Sequence, residues 1–223
     1  MDNIENENIH WAQVISDRWN LSGDYKILNS EFDLNFELIQ SEDRKFIIKI
    51  MREGCTRAFL DAQVSILEFL GKEKIELPIP RLIKSASGNN YELATDLNNN
   101  ERMIWVLEKI EGILLSEASP ISKNFMLDLG RQVGTLDFTL RKFTKDINPP
   151  CNKWNLTKPL WIKNNISEIK DTELEIIINK TLDDFLKISD SLAHLPHYWI
   201  HNDLNDQNLL VGVSSDGQTV LSG

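Results

Sequence analysis

The sequence predicts an α+β chain of two lobes, with an antiparallel sheet in its first half and mainly helices in its second. Strand-like runs with period-two alternation crowd the region before residue 110, and two long runs with helical spacing follow it. With 41% hydrophobic residues, a chain of 223 has enough apolar side chains to bury a core. The composition shift places residues 1–110 in one lobe and 111–223 in the other, with a cleft between them as the expected seat of a small ligand.

The elements are read in order. Trp11, Val14, Ile15 and Trp19 recur at helical spacing, so a helix is expected over Asn8–Trp19, closed by the turn Leu21–Asp24. Strands follow at Tyr25–Leu28, Phe36–Gln40 and Lys45–Met51, the last two joined by Ser41-Glu42-Asp43. Phe59, Ala62, Ile66, Phe69 and Leu70 give a helix over Arg57–Lys72, after which Pro78 and Pro80 force an extended passage. Strands at Arg81–Lys84, Tyr91–Ala94 and Met103–Lys109 complete the sheet, with Asn98-Asn99-Asn100 at a hairpin tip. Glu111-Gly112 marks the change from strand to helical character. A helix over Ile121–Phe143 carries the stripe Phe125, Leu129, Val133, Leu136 and Leu140. Residues 144–165 hold Pro149, Pro150, Pro159, Trp154 and Trp161 and read as a loop packed by its aromatics. The last helix, Asp171–Leu192, has Leu174, Ile177, Ile178, Phe185, Ile188 and Leu192 as its apolar residues and stops before Pro196. Leu209–Val213 and Gln218–Leu221 form a hairpin around Ser214–Gly217.

Charge and composition exclude several classes. Thirty-four acidic against 24 basic residues give a formal charge of −10, so the surface has no general attraction for nucleic acid or anionic lipid, and an anionic ligand must be held locally. Cys55 and Cys151 have neither metal nor redox spacing and read as free thiols in a reducing compartment. The acidic start Met1–Glu7 lacks the parts of a signal peptide, and no apolar run approaches the roughly 20 residues of a membrane helix. The expectation is a soluble, cytoplasmic protein. His10, His194 and His197 form no metal spacing and read as structural or solvated.

The chemistry is concentrated in Trp199-Ile200-His201-Asn202-Asp203-Leu204-Asn205-Asp206-Gln207-Asn208-Leu209-Leu210-Val211. An Asp followed five positions later by an Asn, entered and left through apolar residues, is how a kinase catalytic loop is built. Phosphoryl transfer needs a carboxylate to orient the acceptor hydroxyl or receive its proton, and a neutral oxygen ligand for Mg²⁺ on the nucleotide phosphates. Upstream, Lys49 interrupts the alternation of Phe46-Ile47-Ile48-Lys49-Ile50-Met51 in the middle of a strand that otherwise favours burial on both faces.

With these residues the chain resembles the aminoglycoside phosphotransferase and choline kinase superfamily, whose loop typically reads His-Gly-Asp-x-x-x-x-Asn. It is most similar to the hydroxylysine kinase branch, in which Asp-x-Asn-Asp-x-Asn is favoured. Ser30-Glu31-Phe32-Asp33-Leu34-Asn35-Phe36 is similar to a Ser-Glu-x-Asp-x-Asn-Phe segment of that branch, standing where other kinases have a Gly-rich loop. Leu129–Asp137 is similar to a helix that family members carry before a Trp-containing loop. The resemblance implies a two-lobed, protein-kinase-like fold and a kinase that transfers a phosphoryl group from ATP or GTP, with Mg²⁺, to the hydroxyl of a small amine or amino alcohol. It makes Asp203 the catalytic base, His201 a brace of the loop and Asn208 a Mg²⁺ ligand. It sets Lys49 on the α- and β-phosphates, Ser30 near phosphate, and the backbone of Glu108, Lys109 and Ile110 at the purine edge. The helix glutamate that pairs with the strand lysine in such folds falls on Gln63, with Asp61 as the alternative partner. Asn202 stands where the family has Gly; if that Gly uses a positive φ, Asn is the least costly side-chain-bearing replacement.

The superfamily continues from its last hairpin into an Ile-Asp-Phe-Gly or Ile-Asp-Trp element that carries the principal Mg²⁺ ligand. After Leu221 this sequence has only Ser222-Gly223, and Asp216 lies in the turn. The expectation is therefore a truncated module with an incomplete helical lobe, alone inactive as a kinase, the rest of a longer polypeptide being a further partner. The alternative is a catalytically silent nucleotide-binding or interaction module.

Overall fold

The computed structural model describes residues 3–73, 75–145, 147, 155, 157–215 and 217–223. By compactness the chain divides into two units, Met1–Asn148 with Asp203–Gly223, and Pro149–Asn202.

The first unit opens with helix α1, Asn3–Trp19. It begins five residues before the expected Asn8, because its first turns are polar and apolar periodicity does not register them. The helix closes through Asn20, which adopts φ 55° and donates its N–H to Ser16 O at 3.0 Å. The sheet follows as β1 (Asp24–Leu28), β2 (Leu34–Ser41) and β3 (Arg44–Ile50), then helix α2 (Arg57–Glu73), then β4 (Leu82–Ile83), β5 (Glu92–Thr95) and β6 (Glu101–Glu108). All pairings are antiparallel, in the order β1-β2-β3-β6-β4 with β5 also on β6. Gly23, just before β1, runs against the backbone of β2: a Cβ there would lie 2.2 Å from Ile39 O.

Both faces of this sheet are covered. Phe36 and Leu38 of β2, Phe46, Ile48 and Ile50 of β3, and Ile104 and Val106 of β6 pack with Trp11, Ile15 and Trp19 of α1. The alternate residues Met103, Trp105 and Leu107 pack with Leu60 and Val64 of α2, joined by Met51. The α2 stripe is therefore centred on Leu60 and Val64; Phe59 is half-buried at its edge and Ile66 lies outside it. Burial on both faces explains why β6 reads as a continuous apolar run. At the tip between β5 and β6, Asn99 takes φ 63° while the Asp96 carboxylate accepts from Asn98 N–H and Asn100 N–H, both at 2.9 Å.

A second sheet, β7-β8-β9, is formed by Ile113–Leu114, Leu210–Val213 and Thr219–Leu221. The hairpin of β8 and β9 is as expected. Strand β7 is not: the change to helical character does not occur at Gly112 but after a two-residue strand that pairs Ile113 with Val211 and Leu114 with Leu210. Helix α3 then runs Lys123–Leu140, shorter at both ends than its apolar pattern; the Ser122 side chain sets its start by accepting from Phe125 N–H at 3.1 Å, and Arg141 is its C-cap. Phe125, Leu136 and Leu140 of its stripe are buried.

In the second unit, Pro159–Glu168 adopts 3₁₀ geometry rather than loop, and helix α4 spans Thr172–Ala193 behind the N-cap Asp171, whose carboxylate accepts from Glu173 N–H and Leu174 N–H. Lys163 Nζ donates to Asp183 Oδ1 at 2.8 Å, linking the two segments. Leu182 is the buried residue of α4; Leu174, Ile177 and Ile188 are about half exposed. The expected features at Pro149, Pro150, Cys151, Trp154 and Asp216 lie outside the described residues. No helix among the described residues is long and apolar enough to cross a membrane.

Trp11 is completely buried at the centre of the α1 cluster. Trp11→Ala is expected to lower the stability of the first unit by about 3–5 kcal/mol, read as a shift of its urea unfolding midpoint at unchanged slope; a loss under 1 kcal/mol would show that α1 is not integral to the sheet.

Candidate active site

The loop between α4 and β8 is closed by its own asparagines. Asn208 Nδ2 donates to Asp203 O at 2.9 Å and to Asp203 Oδ2 at 2.7 Å, and Asn205 Nδ2 donates to Asp203 Oδ1 at 2.9 Å. Asn208 N–H donates to Asn205 O, and Gln207 N–H to Asn205 Oδ1, so the four intervening residues form one tight turn. The loop is seated from outside by the segment after β7: Leu115 N–H donates to Leu209 O at 2.9 Å and Ser116 N–H to Asp206 O at 3.1 Å.

This arrangement fixes both members of the expected pair. The Asp203 carboxylate is oriented by two amides, and Asn208, having turned its Nδ2 toward Asp203, leaves an Oδ1 that accepts no hydrogen bond among the described residues. Such an oxygen suits a hard cation such as Mg²⁺. No group of three or more His, Cys, Asp or Glu capable of holding a metal is present among the described residues. Asn202 has φ 67°, the left-handed conformation in which Asn best replaces Gly. His201 is exposed.

Lys49 lies on β3 directly opposite Asn35 of β2 and Trp105 of β6. Since Phe36, Ile48 and Ile104 point into the α1 cluster, this row occupies the α2 face. Burial holds the Lys49 ammonium below the usual lysine range, opposed by the charge of Asp33. No hydrogen bond or ion pair to Lys49 is made among the described residues. Gln63 is half-buried without bonding to Lys49, and Asp61 accepts from Tyr91 OH at 3.0 Å instead, so neither expected helix partner engages the lysine. Ser30 is exposed in the β1–β2 loop.

The hinge residues divide differently from expectation. Glu108 N–H donates to Arg81 O at 2.8 Å and Lys109 N–H to Lys45 O at 3.1 Å, so the sheet uses both donors. Only Ile110, of the three, keeps a backbone N–H without a partner among the described residues. The Lys109 side chain donates to the buried Glu37 at 2.6 Å, and Glu111, held below the usual carboxylate range chiefly by its bond to Lys45, lies 3.7 Å from Lys109. Asp33 and Asn35 belong to the Ser-Glu-x-Asp-x-Asn-Phe segment, which gives them no role of their own, and Glu37 lies outside it; the alternation of all three with Leu34, Phe36 and Leu38 is the signal that places them on the face of Lys49. A hollow of about 810 Å³ between α2 and the segment Asn89–Leu93 is lined by Asp61, Ser65, Glu68 and Lys145; of the residues the sequence singled out for the site only Asp61 borders it, and Lys49, Asp203 and Asn208 do not.

The sequence profile described as "Phosphotransferase enzyme family" matches residues 24–221. None of the curated proteins matches the chain significantly. Among solved structures, a microcompartment-associated aminopropanol kinase superimposes with a TM-score of 0.73 at 17% identity, covering 96% of this chain and 67% of that one. The amicoumacin kinase hAmiN, in complex with AMP-PNP, Ca²⁺ and Ami, gives 0.67 at 14% identity over 97% of this chain; the chain spans 63% of that protein's length. The GDP and kanamycin complex of APH(2")-IIia gives 0.60 at 15% identity, covering 96% and 71%. At these identities the likeness is one of fold, and the fold is the α+β, kinase-like one that the sequence predicts.

Because Asn202 is held in the left-handed region, Asn202→Gly is expected to preserve or slightly raise stability, whereas Asn202→Ala lowers it by about 1 kcal/mol. Thermal unfolding of the two variants checks this; equal effects would remove the conformational argument.

Proposed function

The chain belongs to the phosphotransferase enzyme family, and on that premise we propose that it transfers the γ-phosphoryl group of ATP or GTP to the hydroxyl of a small amine or amino alcohol, with hydroxylysine-like acceptors first. The observation that carries this reading is the Asp203–Asn208 pair: a carboxylate and a neutral amide oxygen fixed side by side in one turn. Residues 1–110 are assigned to nucleotide binding and 111–223 to the catalytic loop and acceptor.

In this reading Asp203 orients the acceptor hydroxyl and takes its proton as the new P–O bond forms. Asn208 Oδ1 is the residue oxygen for Mg²⁺, which, when bound, neutralises charge on the nucleotide phosphates. Lys49 places a half-buried ammonium against the α- and β-phosphates, and the low-dielectric face it shares with Trp105 strengthens that contact. The Ser30 hydroxyl and the amides around it approach the phosphates from the β1–β2 loop. Ile110, with its unpartnered N–H, is the hinge group best able to meet a purine edge. Gln63 lies on the α2 side of the nucleotide lobe, and His201 supports the entry to the loop. Asp203 and Asp206 together suit a cationic acceptor amine. The name of the aminopropanol kinase is that of an amino alcohol, and the AMP-PNP and GDP complexes of two neighbours keep both purines in consideration.

The test is nucleotide turnover by the full-length protein, with ATP and GTP, over a panel of hydroxylysine, ethanolamine, choline, homoserine and aminoglycosides. Asp203→Asn is expected to abolish turnover while leaving nucleotide affinity within about twofold, and undiminished turnover in that variant would overturn the assignment. Lys49→Met is expected to weaken nucleotide binding by about 1.5–3 kcal/mol, the range of a charge-assisted contact, measured by calorimetry.

A further inference from the structure

The strand lysine of a kinase-like site needs an acidic or neutral acceptor to hold its flexible stem, and helix α2 does not provide one. Asp61 is bonded to Tyr91, and Gln63 makes no bond to Lys49. The groups that do surround Lys49 come from β2 and the residue before it. Asn35 is its directly opposed cross-strand neighbour, and the buried Asn35 Oδ1 has no hydrogen-bond partner among the described residues. Asp33, two positions earlier, falls on the same face and diagonal to Lys49, within reach for a long side chain. One oxygen of Asp33 is anchored, Oδ1 accepting from Arg52 N–H at 2.9 Å. The Arg52 guanidinium makes no ion pair with it among the described residues and lies over the rings of Phe32 and Phe59, 5.0 and 5.9 Å from their centroids. The second Asp33 oxygen accepts no bond among the described residues. On the β6 side Lys49 meets Trp105, whose buried Nε1 also lacks a partner among the described residues.

We propose that Lys49 is positioned from β2 instead of α2, with Asp33 as its charge partner and Asn35 as the neutral acceptor beside it. The proposal rests on the nucleotide-binding role of Lys49 given above and adds two positioning residues to it. Other charged groups around this face are already engaged. Glu37 of β2 is bonded to Lys109, and Arg102 of β6 donates to Met51 O and approaches Asp96. Asp61 of α2 is bonded to Tyr91, leaving Glu68 a full two turns further along the helix, and Cys55, after β3, is a thiol that burial pushes upward and so stays neutral. Asp33 is the carboxylate left to act on the ammonium.

The sign of the effect is fixed. A carboxylate beside an ammonium favours the protonated form, so removing its charge lets Lys49 lose its proton at lower pH. Phosphate binding requires the ammonium, and affinity would then fall at lower pH as well. Asp33→Asn is the informative variant, since it keeps an Oδ1 to accept from Arg52 N–H while deleting the charge. Lysine-selective ¹³C NMR titration of the ligand-free protein, with Lys49→Arg identifying the signal, is expected to show the Lys49 pKa lowered further in Asp33→Asn and partly restored in Asp33→Glu. Asp61→Asn is expected to leave it in place. In parallel, the pH at which ATP or GTP affinity halves should move down by the same interval in Asp33→Asn. An unchanged Lys49 titration in Asp33→Asn, or a shift in Asp61→Asn alone, overturns the proposal. If the wild-type chain binds neither nucleotide, the functional reading fails, and the titration in ligand-free protein still decides the pairing.

Discussion

The register of β3 between β2 and β6 is the constraint on which the nucleotide side of the molecule depends. Side chains alternate faces along a strand, so a slip of one residue would turn Lys49 into the cluster of Trp11, Ile15 and Phe36, where an ammonium finds no acceptor, and would send Ile48 to the opposite face. The α1 cluster forbids that slip. Phe46, Ile48 and Ile50 are each buried there beside Phe36 and Leu38, and the polar residues Asn35 and Lys49 are consequently delivered to the other face without any interaction of their own specifying it. An apolar core on one side of the sheet thus determines where charge stands on the other.

The catalytic loop obeys a different logic. Its members are close in sequence, and its shape is set by side-chain amides that substitute for backbone partners: three bonds to Asp203 from Asn205 and Asn208, and one from Gln207 N–H to Asn205. A loop so closed carries its own geometry, and what it needs from the fold is a seat. Leu115 and Ser116 provide it across ninety residues of sequence by donating to Leu209 and Asp206, and the two-residue strand β7 aligns them to do so.

Much of this was legible in the residues. The three strands around Lys49, the helix that follows, and the terminal hairpin all carry strong period or turn signals, and the Asp-to-Asn spacing of the loop is local. The left-handed conformation of Asn202 was legible only as a condition attached to the resemblance, that the Gly it replaces uses a positive φ. Other features could not be read because they leave no side-chain signature. Strand β7 is two residues long and exists only through its pairing with β8. The use of the Glu108 and Lys109 amides by Arg81 and Lys45 is backbone bonding, to which sequence is silent. The partner of Lys49 was sought on α2 by spacing, but a strand neighbour is specified by register, which depends on contacts between distant segments. The apolar residues of α4 illustrate the opposite limit: Leu174, Ile177 and Ile188 have helical spacing and are half exposed, because periodicity identifies a helix without identifying what covers it.

Asn208 does two things at once, and that has a bearing on how the protein ages. Its nitrogen locks Asp203 and its oxygen faces outward, a division of labour only a primary amide can perform. Spontaneous deamidation, the hydrolysis of that amide to a carboxylic acid, would change a single atom of the chain and yet reverse the local chemistry. Two donor hydrogens would be replaced by an acceptor oxygen at 2.7 Å from an existing carboxylate oxygen, and the two acids would repel each other where they now interlock. The bulky Leu209 that follows is therefore more than the start of a strand. A branched side chain after the asparagine hinders attack of the following backbone nitrogen on the side-chain amide more than a glycine in that place would.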